Sequence, residues 1–326
     1  MREQTGLPSV VSALAVALLG ISAQQGGVVP PLSEGLLSYV SPRVATLLAD
    51  GQPVGQTVFV APDGAALTSA DVLPVVDGKV LTLRAAGGTL AARFERVDAV
   101  TGLALLRPSS PLTGVPYTLV APSVPLGVGL AMLPSGPARA SVTQVNVPGI
   151  VGDARTYIPL TEVCLEGTQD TISGTPVFDT QGRLIAILSS SLNGAASAER
   201  AAPAVGPSQP VVAFSVTSLS IRRTLAGMLD PKGASRHPYV GIRYAEQDGG
   251  RVIITEVSPG GPAASVGLKP GERIVRVGVT SVRSALDVAT YLYLLEPGSM
   301  AVLTLEQAGI TRTVMVPVVP TPSAKP

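Results

Sequence analysis

The sequence predicts a mostly β chain: a double β-barrel followed by a smaller α+β unit. Three observations carry this. From Ser41 onward, short apolar runs recur every ten or so residues with no helix between them. Clusters of turn-forming residues separate those runs, and the first convincing helix outside the N-terminal leader is Ser218–Leu229. Strands spaced in this way argue for antiparallel barrels or sandwiches.

The chain opens on a leader. After Arg2 and Glu3 no charge occurs until Glu34, and Leu7–Ala23 is almost wholly apolar. That stretch is short for a spanning helix, which needs about 20 residues. A small-residue exit near Ile21-Ser22-Ala23 fits a cleavable export signal. Residues 1–23 are therefore expected to be a signal peptide, with an N-terminal membrane anchor as the alternative. Either expectation exports the remainder, leaving it periplasmic, extracellular or membrane-anchored and facing outward. Residues 24–37, rich in Gly, Pro, Gln and Val, read as a linker.

The first strand set follows at 43–48, 56–60, 65–69, 80–83, 89–97 and 103–106, punctuated by Asp50-Gly51, Pro62-Asp63-Gly64, Asp77-Gly78 and Gly87-Gly88. A second set is expected at 130–133, 141–147, 157–165, 176–178, 184–188 and 211–214. Two sets of about six strands are what a double barrel needs. Between the last two strands, Asn193–Pro210 has no periodicity and reads as an exposed loop. In the helix, Ile221, Leu225 and Met228 fall on one face and Arg222 and Arg223 on another, and Asp230-Pro231-Lys232-Gly233 breaks it. The expected organisation is a barrel domain over 38–229, a linker over 230–237, a compact unit over 238–317 and a disordered tail over 318–326. The compact unit should hold strands at 252–257, 273–277, 301–307 and 311–316, with helices at 262–266 and 284–295.

Composition narrows the function classes. A chain of 326 residues, 46% hydrophobic and 14% charged, is neither disordered nor collagen-like. Its net charge of +1 gives no case for nucleic acid or for strong attraction to lipid headgroups. A single cysteine, Cys164, excludes an internal disulfide and a Cys-based zinc site and reads as a core thiol. No phosphate loop, paired metal ligands or nucleotide fingerprint is present, so no cofactor and no metal are expected.

Five segments, in order, resemble the HtrA/DegP-like proteins, in which a chymotrypsin-fold serine peptidase domain precedes a PDZ domain. Phe59–Leu73 (FVAPDGAALTSADVL) resembles F-x-x-x-x-G-x-x-L-T-N-A-H-V-V. Asp98–Leu106 (DAVTGLALL) resembles D-x-x-T-D-L-A-V-L. Ile172-Ser173-Gly174-Thr175-Pro176-Val177 resembles the nucleophile loop G-N-S-G-G-P-L. It is followed by a strand, a turn at Asp179-Thr180-Gln181-Gly182 of type I character, and a second strand. Ala213-Phe214-Ser215-Val216, the helix, and Arg236–Ile242 resemble F-A-I-P, helix, R-x-x-L-G-I. Val257–Ala264 with Gly267–Ile274 is a PDZ-like pair of motifs. The resemblance covers about residues 40–317.

That resemblance implies a mechanism this sequence departs from. The family's chemistry needs a hydroxyl nucleophile, an imidazole to take its proton and a carboxylate to orient the imidazole. Ser173 occupies the nucleophile position. Asp71 stands at the imidazole position and Gly102 at the carboxylate position. Thr171 stands where the family has the glycine that helps form the oxyanion hole, and a β-branched residue resists the backbone angles glycine allows. A serine hydroxyl is a poor nucleophile without a neighbouring base, and a carboxylate is ordinarily a far weaker base than an imidazole. His237, the only histidine, is expected to be partly exposed at the domain junction, and no lysine falls beside Ser173.

The PDZ resemblance implies peptide capture by strand addition, the peptide's carboxylate held by backbone amides of the loop Tyr239-Val240-Gly241-Ile242. The facing wall is expected along Ala285, Ala289 and Leu292, an i, i+4, i+7 line. Leu286 and Leu295 then face the core, with the adjacent line as the alternative. The expected protein is a catalytically inactive envelope protein that binds peptides or unfolded protein C-termini. The alternatives are an active serine endopeptidase with a non-standard base, or a structural partner of an active paralogue. Partners follow accordingly: peptides, a homotrimer or a hetero-oligomer with an active paralogue, and no nucleic acid.

Overall fold

The computed structural model describes residues 33–110, 112–151, 156–166, 172–194, 210–231, 233 and 237–322. The leader and most of the first linker lie outside them. So do the centre of the Asn193–Pro210 loop and most of 232–236.

The first element among the described residues is helix α1 (Glu34–Val40), where the sequence reading placed the end of a linker. Its signal was local: Ser33 caps the helix by accepting from the Leu36 amide at 3.1 Å, and Glu34 sits in the first turn. A single 3₁₀ turn (Ser41–Arg43) leads into the barrel.

Six strands close the first barrel: β1 (Val44–Ala49), β2 (Gln52–Phe59), β3 (Ala66–Ser69), β4 (Leu81–Ala85), β5 (Gly88–Asp98) and β6 (Leu103–Pro108). The order around it is β1-β2-β3-β6-β5-β4, all antiparallel, with β4 pairing back to β1. A 3₁₀ turn at Ala70–Val72 and a short helix α2 (Leu73–Val76) follow β3.

The second sheet comprises β7 (Gly127–Leu133), β8 (Gly136–Val151), β9 (Thr156–Leu165), β10 (Pro176–Phe178), β11 (Leu184–Ile187), β12 (Asn193–Gly194) and β13 (Val211–Val216). Its order is β11-β10-β7-β8-β9-β13, with β12 on β8. The two ends of the sheet meet at a Ser189–Phe214 bridge, which completes a second barrel. With no Trp and four Phe, both cores are built from aliphatic side chains around the fully buried Phe59 and Phe178.

Helix α3 (Ser218–Leu229) is capped by Thr217. Ile221 and Met228 turn into the core as expected, but Arg223 is buried with them while Arg222 is exposed.

The last unit contains β14 (Pro238–Tyr239), β15 (Ile242–Gln247), β16 (Arg251–Val257), α4 (Pro262–Ser265), β17 (Arg273–Val277), β18 (Thr280–Ser281), α5 (Ala285–Leu294), β19 (Met300–Gln307), β20 (Ile310–Pro317) and β21 (Val319–Pro320). The sheet order is β15-β16-β17-β19-β20, so β15 is an edge strand. The expected tail is part of this unit as far as it is described. Val318 is buried, β21 pairs with β14, and the Thr321 amide donates to the His237 carbonyl at 2.9 Å.

Candidate functional site

The Ser173 loop is fixed by the backbone around it. The Gln56 amide donates to the Ser173 carbonyl at 3.0 Å, Gly174 donates to Leu188 at 2.8 Å, and Thr175 donates to Ile172 at 2.9 Å. Gly174 has φ +76°, and a Cβ there would lie 2.1 Å from the Gln56 carbonyl oxygen and 2.2 Å from the Thr68 hydroxyl. Only glycine lets β2 and β3 approach the loop this closely. Gly55 serves the same contact from the other side, its Cβ position 2.8 Å from the Ser173 carbonyl. Behind the loop, Gly182 donates to the Asp179 carbonyl at 3.0 Å, and the Asp179 carboxylate accepts from the Gln181 and Arg183 amides, closing the expected turn.

The side chain facing the Ser173 hydroxyl is Asp71. Ser173 Oγ donates to Asp71 Oδ2 at 3.1 Å and lies 3.1 Å from Ser190 Oγ. The same carboxylate oxygen accepts from Ser189 Oγ at 3.0 Å, from the Ser190 amide at 2.6 Å and from Ser190 Oγ at 2.7 Å. A carboxylate offers about two lone-pair sites per oxygen, so the four donors crowd Oδ2 and share it. Asp71 Oδ1, buried, has no hydrogen-bond partner among the described residues. Sequence reasoning missed the run Ser189-Ser190-Ser191, whose only signal was three hydroxyls directly after the strand behind the nucleophile loop.

Gly102 sits in a tight turn, donating to the Asp98 carbonyl at 2.9 Å while its own carbonyl accepts from Ala70 at 2.7 Å. Its φ is +66°, and the space where a side chain would begin is open. Thr171 lies outside the described residues.

His237 overturns the expectation of a partly exposed junction histidine. It is 2% exposed, and its Nε2 lies 2.8 Å from Asp98 Oδ2, with Thr224 Oγ1 at 3.5 Å. Asp98 Oδ1 in turn accepts from the amides of Val100 and Thr101 and from the Thr101 hydroxyl at 2.8–3.0 Å. The second unit is thus bonded to the turn between β5 and β6. The reason is tertiary: α5 packs on β9, bringing Tyr293 into the barrel core beside the His237 ring, their centroids 6.3 Å apart.

In the last unit, Gly241 turns the loop at φ +79° and delivers the chain into the edge strand β15. On α5, Ala289 and Leu292 line a cavity of about 170 Å³ together with Tyr244 of β15. Ala285 differs from the expectation. It is buried in the core of the unit with Val288, and its amide donates to Glu246 at 2.8 Å. The core line is therefore Ala285, Val288, Leu292 and Leu295, and Leu286 is not part of it.

The comparisons with known proteins agree with this architecture. The family described as PDZ domain matches residues 238–318. Two solved structures share the fold: the HtrA-type protease AlgW with decapeptide (TM-score 0.62, 15% identity, 89% of this chain and 98% of that one) and a serine endoprotease from Yersinia pestis (TM-score 0.56, 17% identity, 90% and 100%). HhoB of Synechocystis sp., classed among serine proteases, is 26% identical over 271 residues, 73% of this chain and 59% of its own length. A DegP-like protein of Brucella suis biovar 1, classed as a periplasmic serine endoprotease, is 24% identical over 298 residues, 83% of this chain and 53% of its own. Residues 238–318 form a PDZ domain, and the chain as a whole is similar to HtrA/DegP-like proteins. It spans between one half and three fifths of the length of these curated relatives.

In this chain the Asp98–His237 pair has a pH signature. Burial opposes ionisation of Asp98, but the hydrogen bond and charge of His237 and the donors of Thr101 outweigh it, so the carboxyl sits below its ordinary 3.8. The contribution of such a group to stability is complete above the unfolded value of 3.8. It falls away as pH drops through the lower folded value, because the unfolded chain takes up the proton first. Melting followed from pH 5 to pH 2.5 should show a steeper loss of stability in the wild type than in Asp98→Asn. Parallel curves would remove Asp98 from the account.

Proposed function

We propose that this chain is a catalytically inactive, exported member of its family that captures peptides or unfolded-protein C-termini through its PDZ groove. One observation carries the first half. The Ser173 hydroxyl faces a carboxylate oxygen that three other donors also occupy, while the only histidine is engaged by Asp98. On this reading Asp71, Gly102 and Thr171 mark lost catalytic positions, and Ser173 is held in place by Asp71. The second half is supported by the open edge of β15 and the glycine turn that feeds it. Localisation outside the cytoplasm is supported by the leader and by the periplasmic classing of the Brucella relative.

The 3.1 Å Ser173–Asp71 contact favours a second reading, a serine endopeptidase with Asp71 as base. A third, a structural subunit in a homotrimer or beside an active paralogue, draws on exposed Tyr39 and Tyr117, which flank Arg43 on the first barrel.

Fluorescence anisotropy with labelled peptides ending in an apolar residue tests the capture half. The free acids should bind at least about tenfold more tightly than their C-terminal amides, the difference expected when buried donors lose a charged partner. Equal binding of acid and amide would count against PDZ-type capture, and binding of neither would favour the structural subunit.

A further inference from the structure

We infer that the barrel completes the peptide pocket of the PDZ unit, so that the terminal side chain of a captured peptide seats against barrel residues as well as against the groove. This rests on the capture reading above and adds the source of its specificity.

The observation is the composition of the 170 Å³ cavity. Tyr244 of β15 and Ala289 and Leu292 of α5 form one side of it, the two elements that flank a peptide added at the β15 edge. Pro238 contributes from the entry to the unit. The opposite side is supplied by Val100, from the turn between β5 and β6, and Ile158 of β9. The His237 ring, Thr321 and Tyr293 also line it, and the greater part of the lining is hydrocarbon and aromatic surface. An apolar cavity of roughly 150 Å³ is enough to take a benzene ring, so this one suits a Leu, Met or Phe side chain.

Asp98 ties the two sides together directly beside the cavity. Asp98 Oδ1 accepts from the Val100 amide at 3.0 Å, fixing the barrel side, while Asp98 Oδ2 is 2.8 Å from His237 Nε2 at the entry to the PDZ unit. Ile158 is 1% exposed and belongs to the barrel core, so it cannot swing away without unpacking β9. The occupant is a peptide with a free C-terminal carboxylate and an apolar last residue. The strand edge at β15 can pair its backbone, and solved structures of the same fold carry a decapeptide and a tripeptide.

The experiment uses the full chain and labelled decapeptides that differ only in the last residue, Ala, Val, Leu or Phe, each as acid and amide. Ile158→Phe and Val100→Phe both shrink the pocket from the barrel side. Each should weaken the Leu- and Phe-ended acids by about tenfold or more, the scale of a lost methylene site in an apolar pocket, and leave the Ala-ended acid within twofold. Val100 lies on a half-buried turn, so Val100→Phe carries the test alone if Ile158→Phe lowers the melting temperature. Loss by the same factor across the whole series, or a ranking unchanged from wild type, would overturn the inference. If the wild type itself fails to prefer acids over amides, the capture reading falls; if it prefers them and the ranking does not move, only the composite pocket falls.

Discussion

Purified protein will not label with a serine-reactive fluorophosphonate, and it will degrade unfolded casein no faster than Ser173→Ala does. The family's chemistry needs an imidazole that receives the serine proton and returns it to the leaving group. Here Ser173 Oγ meets Asp71 Oδ2 and Ser190 Oγ, each at 3.1 Å, and the carboxylate oxygen also accepts from the Ser190 amide at 2.6 Å and the Ser190 hydroxyl at 2.7 Å. Ser173 therefore shares its acceptor with shorter bonds from Ser190, and no imidazole stands between the hydroxyl and the carboxylate. Removing one triad member from a working enzyme of this type costs about 10⁴ in kcat or more, and on the inactive reading a departure at two positions lowers turnover at least as far. Labelling that disappears in Ser173→Ala would sink the inactive reading, and a casein rate abolished by Asp71→Asn would make Asp71 the base. Peptide binding by Ser173→Ala should equal wild type, because the cavity between the barrel and α5 does not include Ser173.

What the sequence could and could not convey follows from how local each feature is. Strands β1 to β6 were legible because apolar runs and turn residues such as Pro62-Asp63-Gly64 are set by neighbours along the chain. Ser173 and the Asp179–Gly182 turn were legible for the same reason. The surroundings of Asp71 were not, since three of its donors come from a serine run 118 and 119 residues away. His237 was misplaced because its partner, Asp98, is 139 residues distant and meets it only when the second unit docks. Strand β15 escaped because it is an exposed edge, where Arg243, Glu246 and Gln247 interrupt any apolar pattern. Ala285 was assigned to the groove on helical spacing alone; spacing gives a line of residues, and the packing of Val288 against β-strands decided which line is buried.

Arg223→Met should cost about 3 kcal/mol and loosen the PDZ unit from the barrel. Arg223, on α3 of the barrel domain, is 5% exposed and reaches the end of α5. Its guanidinium donates to the carbonyls of Tyr293, Leu294 and Leu295, the last at 3.0 Å, and to Glu296 Oε1 at 2.7 Å. The last carbonyls of a helix lack partners within it, and a cation there also meets the negative end of the helix dipole. Arg223 therefore does for α5 what its own sequence does not, since the last turn of α5 carries no basic residue. Methionine keeps much of the apolar volume but removes the donors, and each buried acceptor left unmet costs about 1–3 kcal/mol. The ion pair itself adds little, because the Glu296 side chain is 68% exposed. Urea unfolding should show the loss either as a lower midpoint or as a separate early transition, with faster proteolysis across residues 230–237. Arg222→Met, at the exposed neighbour, should change stability by less than about 0.5 kcal/mol. Were the two variants to unfold alike, the grip of α3 on α5 would be a contact without consequence, and the docking of the PDZ unit would rest on Asp98, His237 and the packing of α5 on β9.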